Sequence, residues 1–244
     1  MISIIIVTHN RPQKLQRCLD SIAKNMHYPH EISVINNSIN NIGPTAARNK
    51  GARETAGEWL LFLDDDAWID RLPAEEIIRY TKEHPEVGLI SPRLLNPDGT
   101  LQPSIRSFPT SSALAWRGTF LHKLFPNAPW YKKYMATDKR TDKTVTTKID
   151  WAISACILVS RKAWNDVGGF DEKYFFMHED TDFCFRLKQK GYERIYWHDA
   201  TVYHDYARTS SKLFNRNFIH HIRGALRVLG TMKREMPEAT RSSK

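Results

Sequence analysis

The chain predicts an α/β fold with a mostly parallel central sheet flanked by helices. Three observations carry that prediction. Ile2 to Val7 is a β-branched apolar run. The first sixty or so residues alternate strand, helix, strand, helix, strand. The stretch Trp59-Leu60-Leu61-Phe62-Leu63 runs without polar alternation into Asp64-Asp65-Asp66. Unbroken apolar strands are those buried on both faces, and strands alternating with helical segments form the βαβ units of a parallel sheet.

The first strand ends in Thr8, His9 and Asn10. Asn10 is a candidate N-cap, and Pro12 suits a first helical turn. Leu15, Cys18, Leu19, Ile22 and Met26 then recur at helical spacing as a core-facing stripe, which Tyr28-Pro29 ends. Glu31 to Ile35 is a second strand, closed by the polar turn Asn36-Asn37-Ser38. Gly43 opens a turn, Pro44 starts a helix with Arg48 one turn in, and Gly57 closes it before the Asp-rich strand. Such a helix start can hold an anion, as can any free helix N-terminus. Pro73 to Glu83 is a helix stopped by His84-Pro85, Val87 to Ser91 a fourth strand, and Asn96-Pro97-Asp98-Gly99 a hairpin turn.

From Arg106 to Thr147 prolines, aromatics and basic residues follow without periodicity, an irregular segment of a length that is usually functional. Ile149 to Val159 reads as one long strand and Arg161 to Val167 as a short helix capped by Gly168-Gly169. Phe183, Cys184 and Leu187 form one face of a helix ending at Gly191, and Tyr192–Trp197 and Thr201–Tyr203 are two further strands. From Ser210 to about Met236 a basic amphipathic helix aligns Leu213, Phe214, Phe218, Ile222, Leu226 and Leu229, flanked by Lys212, Arg216, Arg223, Arg227, Lys233 and Arg234. The expected organisation is one domain over 1–211 and a basic helical tail over 212–244.

The carboxylates define the candidate chemistry. Residues two apart in a strand share a face, so Asp64 and Asp66 face one ligand and Asp65 the other side. They lie at the C-terminal edge of the sheet, where ligands bind. Two carboxylates with open positions suit Mg²⁺ or Mn²⁺ held together with substrate phosphates. Strands also end in acidic residues simply because turns are solvated. Glu179 and Asp180 fall at a helix N-terminus, where the dipole favours the ionised form. Each is either a candidate general base or an ordinary acidic cap. His204, alone after a strand, carries no assignment by itself.

A chain of 244 residues, 41% hydrophobic, is long and apolar enough for one sizeable core rather than a disordered segment. No apolar stretch approaches the roughly 20 residues of a membrane-crossing helix. Met1 runs directly into a strand, so no secretory leader is expected. Cys18, Cys156 and Cys184 lack paired spacing and read as reduced core cysteines of a cytosolic protein. The net charge of +9 favours an anionic partner, whether nucleic acid, anionic membrane or phosphorylated substrate. For the tail, a helix packed on the domain and a membrane contact are both open.

Four blocks, in order, resemble the family 2 inverting glycosyltransferases, and most closely their bacterial rhamnosyltransferase-like branch. They are the first strand ending Val7-Thr8-His9-Asn10-Arg11; Asn41-x-Gly43 through Ala47-Arg48-Asn49-x-Gly51; Leu60 to Asp66; and Gly168 to Glu172, followed by Phe175-Phe176, Glu179-Asp180-x-Asp182, Arg186 and Gly191. The resemblance spans Ile2 to about Ser211. It implies a glycosyltransferase-A (Rossmann-like) fold and a nucleoside-diphosphate sugar donor, dTDP- or UDP-linked, with rhamnose among the sugars. It implies a glycan or lipid-linked acceptor, a Mg²⁺ or Mn²⁺ cofactor and work at the inner face of the membrane, without nucleic acid. Thr8, Asn10, Asn36 and Arg48 would line the nucleotide pocket. Asp64 would face ribose and metal, Asp66 would bind the metal, and His204 would be a third metal ligand. Asp180 would be the base and Glu179 would orient the acceptor. Trp151 would form an acceptor wall, and Arg208 and Lys212 would close on the diphosphate.

The chain departs from that pattern where Asn36 replaces a common Asp and Ser154 a common Gly, the latter narrowing the sugar pocket. Two other functions compete. A sugar nucleotidyltransferase would need a Gly-rich phosphate loop, and Thr8-His9-Asn10-Arg11-Pro12 has no glycine. A polyanion-binding protein would use the basic charge, but no nucleic-acid motif is present.

Overall fold

The computed structural model describes residues 1–110, 128–136, 146–175, 177–205 and 216–235. Strand β1 (Ile2–Thr8) lies parallel between β2 (His30–Asn36) and β3 (Trp59–Asp64), with Ile4 opposite both Ile32 and Leu61. Its alternation sorts side chains into two cores. Ile2, Ile4 and Ile6 pack with Leu61, Leu63 and with Cys18 and Ile22 of helix α1 (Pro12–Asn25). Ile5 packs on the other face with Leu60, Phe62 and Ala52 of α2 (Pro44–Arg53). This two-sided burial is why β1 and β3 carry no regular polar alternation.

Beyond β3 the sheet continues through β9 (Cys156–Ser160), β5 (Val87–Leu95), β10 (Glu193–His204) and β4 (Ala67–Arg71), in the order β2-β1-β3-β9-β5-β10-β4. The short β7 (Thr147–Lys148) pairs with β10. Strand β9 is antiparallel to both neighbours, and β10 is parallel to β5 and antiparallel to β4. A second small sheet joins β6 (Ile105–Arg106) to β8 (Trp151–Ala152). Helix α3 (Ala74–Glu83) covers one face with α1. The other face carries α5 (Arg161–Val167) and α6 (Glu179–Gln189), through Trp164 and Phe183. The remaining helices are α4 (Pro129–Tyr134) and α7 (Arg216–Glu235).

Several expectations are corrected. Asn10 is not the cap of α1: it takes a left-handed backbone, φ 54°, and its N–H donates to Ser38 Oγ, while Arg11 stands at the cap position. Ile149 to Val159 is not one strand, because the chain changes partners. Ala152 pairs with Ile105, and Cys156 then pairs with Leu63. The two strands expected over 192–203 are one, β10, with register shifts that absorb the interruption. Within 106–147, the described residues hold α4 and β7 rather than irregular chain alone.

The tail helix buries a different face from the expected one. Gly224, Val228 and Met232 face inward, with Val228 and Met232 against Phe185. Ile222 and Leu226 are 43% and 67% exposed. The cause is close approach: a Cβ at Gly224 would stand 2.9 Å from the His178 ring and 3.1 Å from Met177 O. Leu213 and Phe214 lie outside the described residues. The three cysteines are free and buried, and burial pushes the Cys18 thiol up to about 12. No described helix is long and apolar enough to cross a membrane.

Gly51 offers a test of the packing. In a helix interior Gly→Ala ordinarily gains up to about 1 kcal/mol. Here the new Cβ would sit 2.6 Å from Ile5 Cγ2. Gly51→Ala should instead lose about 1–3 kcal/mol through overpacking, read from urea unfolding midpoints; a gain in stability would contradict the packing of α2 on β1.

Candidate active site

The parallel register of β1 and β3 sets Val7 beside Asp64, so Thr8 and the acidic residues emerge at one edge of the sheet. Strand β3 stops at Asp64, and Asp65-Asp66 form a turn into β4. The strict alternation expected of the three carboxylates therefore ends with Asp64. Asp65 accepts from Thr8 Oγ1 at 2.8 Å, and Arg11 reaches both Asp65 (3.2 Å) and Asp66 (2.9 Å). Lys14, one turn along α1, lies 3.4 Å from Asp66 and 3.0 Å from Asp205. Burial holds the Asp65 carboxyl above its usual range. Asp64 keeps 28% of its side chain exposed against 6% and 8% for its neighbours, so the cluster opens on its side.

Asp64, Asp66 and His204 converge: each offers a ligand atom, and these atoms lie within 4.8 Å of one another. His204 arrives from the end of β10, which the antiparallel pairing of His204 with Ala67 sets beside the turn. Its Nε2 is 3.4 Å from Asp66 Oδ1. Its Nδ1 is 2.8 Å from Gln102 Oε1, and Gln102 Nε2 donates to Asn96 Oδ1 and the His204 carbonyl. That amide orientation makes Oε1 the acceptor, so Nδ1 carries the hydrogen and the Nε2 lone pair turns toward Asp66. Two carboxylates and one oriented imidazole fit a divalent cation of the Mn²⁺ or Mg²⁺ kind.

Arg48 is buried and forked. Nη2 donates to Asp64 Oδ1 at 2.6 Å, and Nη1 to Glu179 Oε1 at 3.0 Å. Burial opposes its charge, but Asp64 and Glu179 outweigh that and hold its pKa above the ordinary value. Arg48 thus links the carboxylate cluster to the start of α6, where His178 takes a left-handed backbone, φ 69°, at the cap. Glu179 is 4% exposed, and burial first, then the Asp180 charge, push its carboxyl up to about 7. Ser154 Oγ donates to Glu179 Oε1 at 3.4 Å. Asp180 is half-buried and accepts from its neighbour Thr181, N–H at 2.7 Å and Oγ1 at 3.3 Å. Burial raises the Asp180 carboxyl, opposed by the Thr181 N–H, Arg106 and Arg48.

The structure therefore brings together Thr8, Arg48, Asp64, Asp66, Glu179 and His204 of the expected residues. Asn10 and Asn36 sit exposed at the rim beside Thr8, joined through Ser38. Trp151 is 5% exposed, with its indole N–H on Ser107 O and Arg106 over its ring at 5.1 Å. Arg208 and Lys212 lie outside the described residues. Sequence reasoning missed Arg11 and Lys14 as partners of the carboxylates, and Gln102 as the support of His204. Arg11 stood inside a motif already noted, whereas Gln102 lies in a stretch with no periodic signal.

The sequence profile described as Glycosyl transferase family 2 matches residues 3–39 and 27–168. The chain belongs to this family. The N-acetylglucosaminyl-diphospho-decaprenol L-rhamnosyltransferase of Mycobacterium tuberculosis is 27% identical over 180 residues, 74% of this chain and 57% of the relative. The O-antigen biosynthesis protein RfbC of Myxococcus xanthus is 25% identical over 222 residues, 78% of this chain and 16% of the relative. The chain thus spans only part of the length of these relatives. Among solved structures, GalNAc-T7 with UDP, GalNAc and Mn²⁺ aligns at TM-score 0.63 and 13% identity, over 94% of this chain and 47% of that one. The mannosyltransferase PcManGT of Pyrobaculum calidifontis, in complex with GDP-Man and Mn²⁺, aligns at 0.61 and 14%, over 97% and 65%. At such identities the likeness speaks for the fold, which is glycosyltransferase-A.

The raised Glu179 carboxyl makes a signed prediction. A group that binds its proton more tightly when folded favours folding at low pH and less so as pH climbs from 4.5 through about 7. Glutamine carries no such dependence. The Glu179→Gln enzyme should gain stability relative to the unsubstituted one as pH rises over that window, in urea titrations at each pH; a difference that stays flat would refute the raised carboxyl.

Proposed function

We propose that this enzyme is an inverting, metal-dependent glycosyltransferase, moving a sugar from a nucleoside diphosphate to a hydroxyl of a glycan or lipid-linked glycan in bacterial surface polysaccharide synthesis. The observation that best supports it is the convergence of Asp64, Asp66 and His204 at the sheet edge, tied through Arg48 and Glu179 to the helix start that carries Asp180. The printed name of the Mycobacterium relative favours rhamnose as the sugar and a lipid-linked acceptor. Deoxythymidine or uridine diphosphate is the nucleotide this reading expects.

Asp180 takes the proton of the acceptor hydroxyl as that oxygen attacks the anomeric carbon. The bond to the diphosphate breaks on the opposite face, so configuration inverts. Thr181 pre-orients the Asp180 carboxylate, and burial makes it a stronger base. Asp64, Asp66 and His204 would hold a Mg²⁺ or Mn²⁺ ion, which would supply positive charge to offset that of a leaving diphosphate. Arg11 and Lys14 add positive charge beside Asp66. Thr8, Asn10 and Asn36 line the nucleotide side.

Membrane contact completes the proposal. Ile222 and Leu226 stand outward beside the exposed Arg223 and Lys233. An apolar ridge with cationic flanks suits an anionic lipid surface. This would hold the enzyme at the inner face of the membrane, near a lipid-linked acceptor.

Calorimetric titration with dTDP and UDP should give binding that requires Mn²⁺ or Mg²⁺ and disappears in Asp66→Ala. In the same enzyme, Asp180→Asn should cut transfer by about 10²–10⁴-fold with donor affinity nearly unchanged. Equal loss of binding and transfer would remove Asp180 from the base role. Vesicles containing phosphatidylglycerol should sediment the protein, and the pair Ile222→Asp and Leu226→Asp should release it; sedimentation that survives the pair rules out α7 as the contact.

A further inference from the structure

The two carboxylates at the start of α6 are held unequally. Glu179 is fixed from across the fold, by Arg48 and Ser154. The hydrogen bonds of Asp180 among the described residues go to Thr181, its own neighbour in the chain. A carboxylate tied only to the next residue points where its backbone points. What sets the backbone of residues 177–181 therefore sets the direction of Asp180.

That backbone is strained. Met177 and His178 both take left-handed conformations, φ 69° each. Residues with a Cβ seldom adopt this region, and two in succession persist only where their surroundings hold them. His178 occupies the cap position of α6 without a side-chain capping hydrogen bond. Its carbonyl accepts from the Asp182 N–H at 3.0 Å, the first bond of the helix. A rotation at His178 would thus tilt the first turn of α6, Asp180 included. From its second turn onward α6 is anchored separately, by Phe183 in the core and by Arg186 on the carbonyls of Val167 and Gly169.

Helix α7 lies on this strained turn. Gly224 passes so close that a Cβ there would stand 2.9 Å from His178 Cδ2, 3.1 Å from Met177 O and 3.4 Å from His178 Cβ. One turn along, Arg227 Nη1 is 4.0 Å from Asp171 Oδ2, and its guanidinium lies 5.6 Å from the centre of the Tyr174 ring. Thr231 hydrogen-bonds to the Tyr174 hydroxyl, which itself donates to Asp182 Oδ1 at 3.4 Å. The helix therefore grips the segment that leads into Asp180 at its start, its middle and its end.

We infer that α7 is a positioning element for the base, with Gly224 as the residue that lets the helix hold the Met177-His178 turn and so aim Asp180. This rests on the reading of Asp180 as the base. Gly224 acts through His178 and not on the substrate. A side chain at position 224 would push α7 off the turn or force the turn itself to shift, and either change turns the carboxylate away from the attacking hydroxyl.

The test follows release of nucleoside diphosphate from dTDP-rhamnose and from UDP-glucose with Mn²⁺, water serving as the attacking hydroxyl, beside donor affinity by calorimetry and Tm. Gly224→Ala should slow release about tenfold to a hundredfold with donor affinity held, as for a reacting group displaced by up to about 1 Å. Adding His178→Gly should restore most of the rate, because it clears the imidazole from the new Cβ and glycine takes a positive φ freely. Thr231→Val, close in shape but without the bond to Tyr174, should slow release in the same sense, and it carries the test if Gly224→Ala folds poorly. A lowered Tm with an unchanged rate well below it would reduce α7 to a structural support. Rate and donor affinity falling together would mean that the whole site deforms, which overturns the inference as well. Full-speed release by Asp180→Asn would remove the base reading, whatever Gly224→Ala does. If the unsubstituted enzyme releases nucleotide from neither donor, the donor reading falls and amide hydrogen exchange decides instead. Over residues 177–182 it should quicken in Gly224→Ala and return in the double variant; exchange that does not change would overturn the inference.

Discussion

Arg48 is buried with both arms of its guanidinium engaged, by residues that reach it from 16 and 131 positions away in the chain. A cation so placed depends on the charge of Asp64 and on its hydrogen bond to Glu179. Removing Asp64 would leave the buried charge without its closest partner, and breaking such a pair costs about 3–5 kcal/mol, which rivals the net stability of a domain. The planar fork also explains why the residue is arginine, since a lysine ammonium would offer one point charge to two carboxylates set apart. The bridge ties the end of β3 to the start of α6, and with it places Asp64 relative to Asp180.

The same accounting runs through the acidic triplet. Each carboxylate has its own cation or donor: Asp64 has Arg48, Asp65 has Thr8 and Arg11, and Asp66 has Arg11 and Lys14. Arg11, Lys14 and Arg48 are thus engaged by the protein's own carboxylates, which leaves the net charge of +9 unchanged. Three adjacent carboxylates at one sheet edge would otherwise repel one another and draw the turn open. The local cations keep the cluster closed while leaving the Asp64 side accessible.

Most of the fold was legible because its signals are local. Apolar runs marked β1 and β3, helical spacing marked α1, and glycines with prolines marked the start of α2 and the end of α5. What was not legible depends on partners far along the chain. Ala67–Arg71 has little strand character of its own and becomes β4 only through pairing with β10. The partner exchange that separates β8 from β9 depends on β6 and β3, and no residue in Ile149–Val159 announces it. The inward face of α7 follows from Gly224 against His178, a contact between elements that periodicity cannot see. Within the site, residue types and order pointed to Asp64, Asp66, Asp180 and His204, while Gln102 and the arginine bridge were invisible because hydrogen bonds leave no period.

The antiparallel insertion of β9 sets the order in which the molecule can be made. Strands β1 to β3 can pair as soon as they emerge, but among the described residues β5 finds its neighbouring strands in β9 and β10, and β4 in β10. A nascent chain of some hundred residues therefore holds one parallel leaf and two strands with nowhere to go. Closure waits for residues 156–160 to thread between the halves, a long-range pairing of the kind that folds slowly. Until then the acidic triplet has no Glu179 or His204 facing it, and the growing polypeptide carries open strand edges that invite wrong partners. The sheet would thus stay open until residues up to about His204 have left the ribosome, since β10 is its last strand.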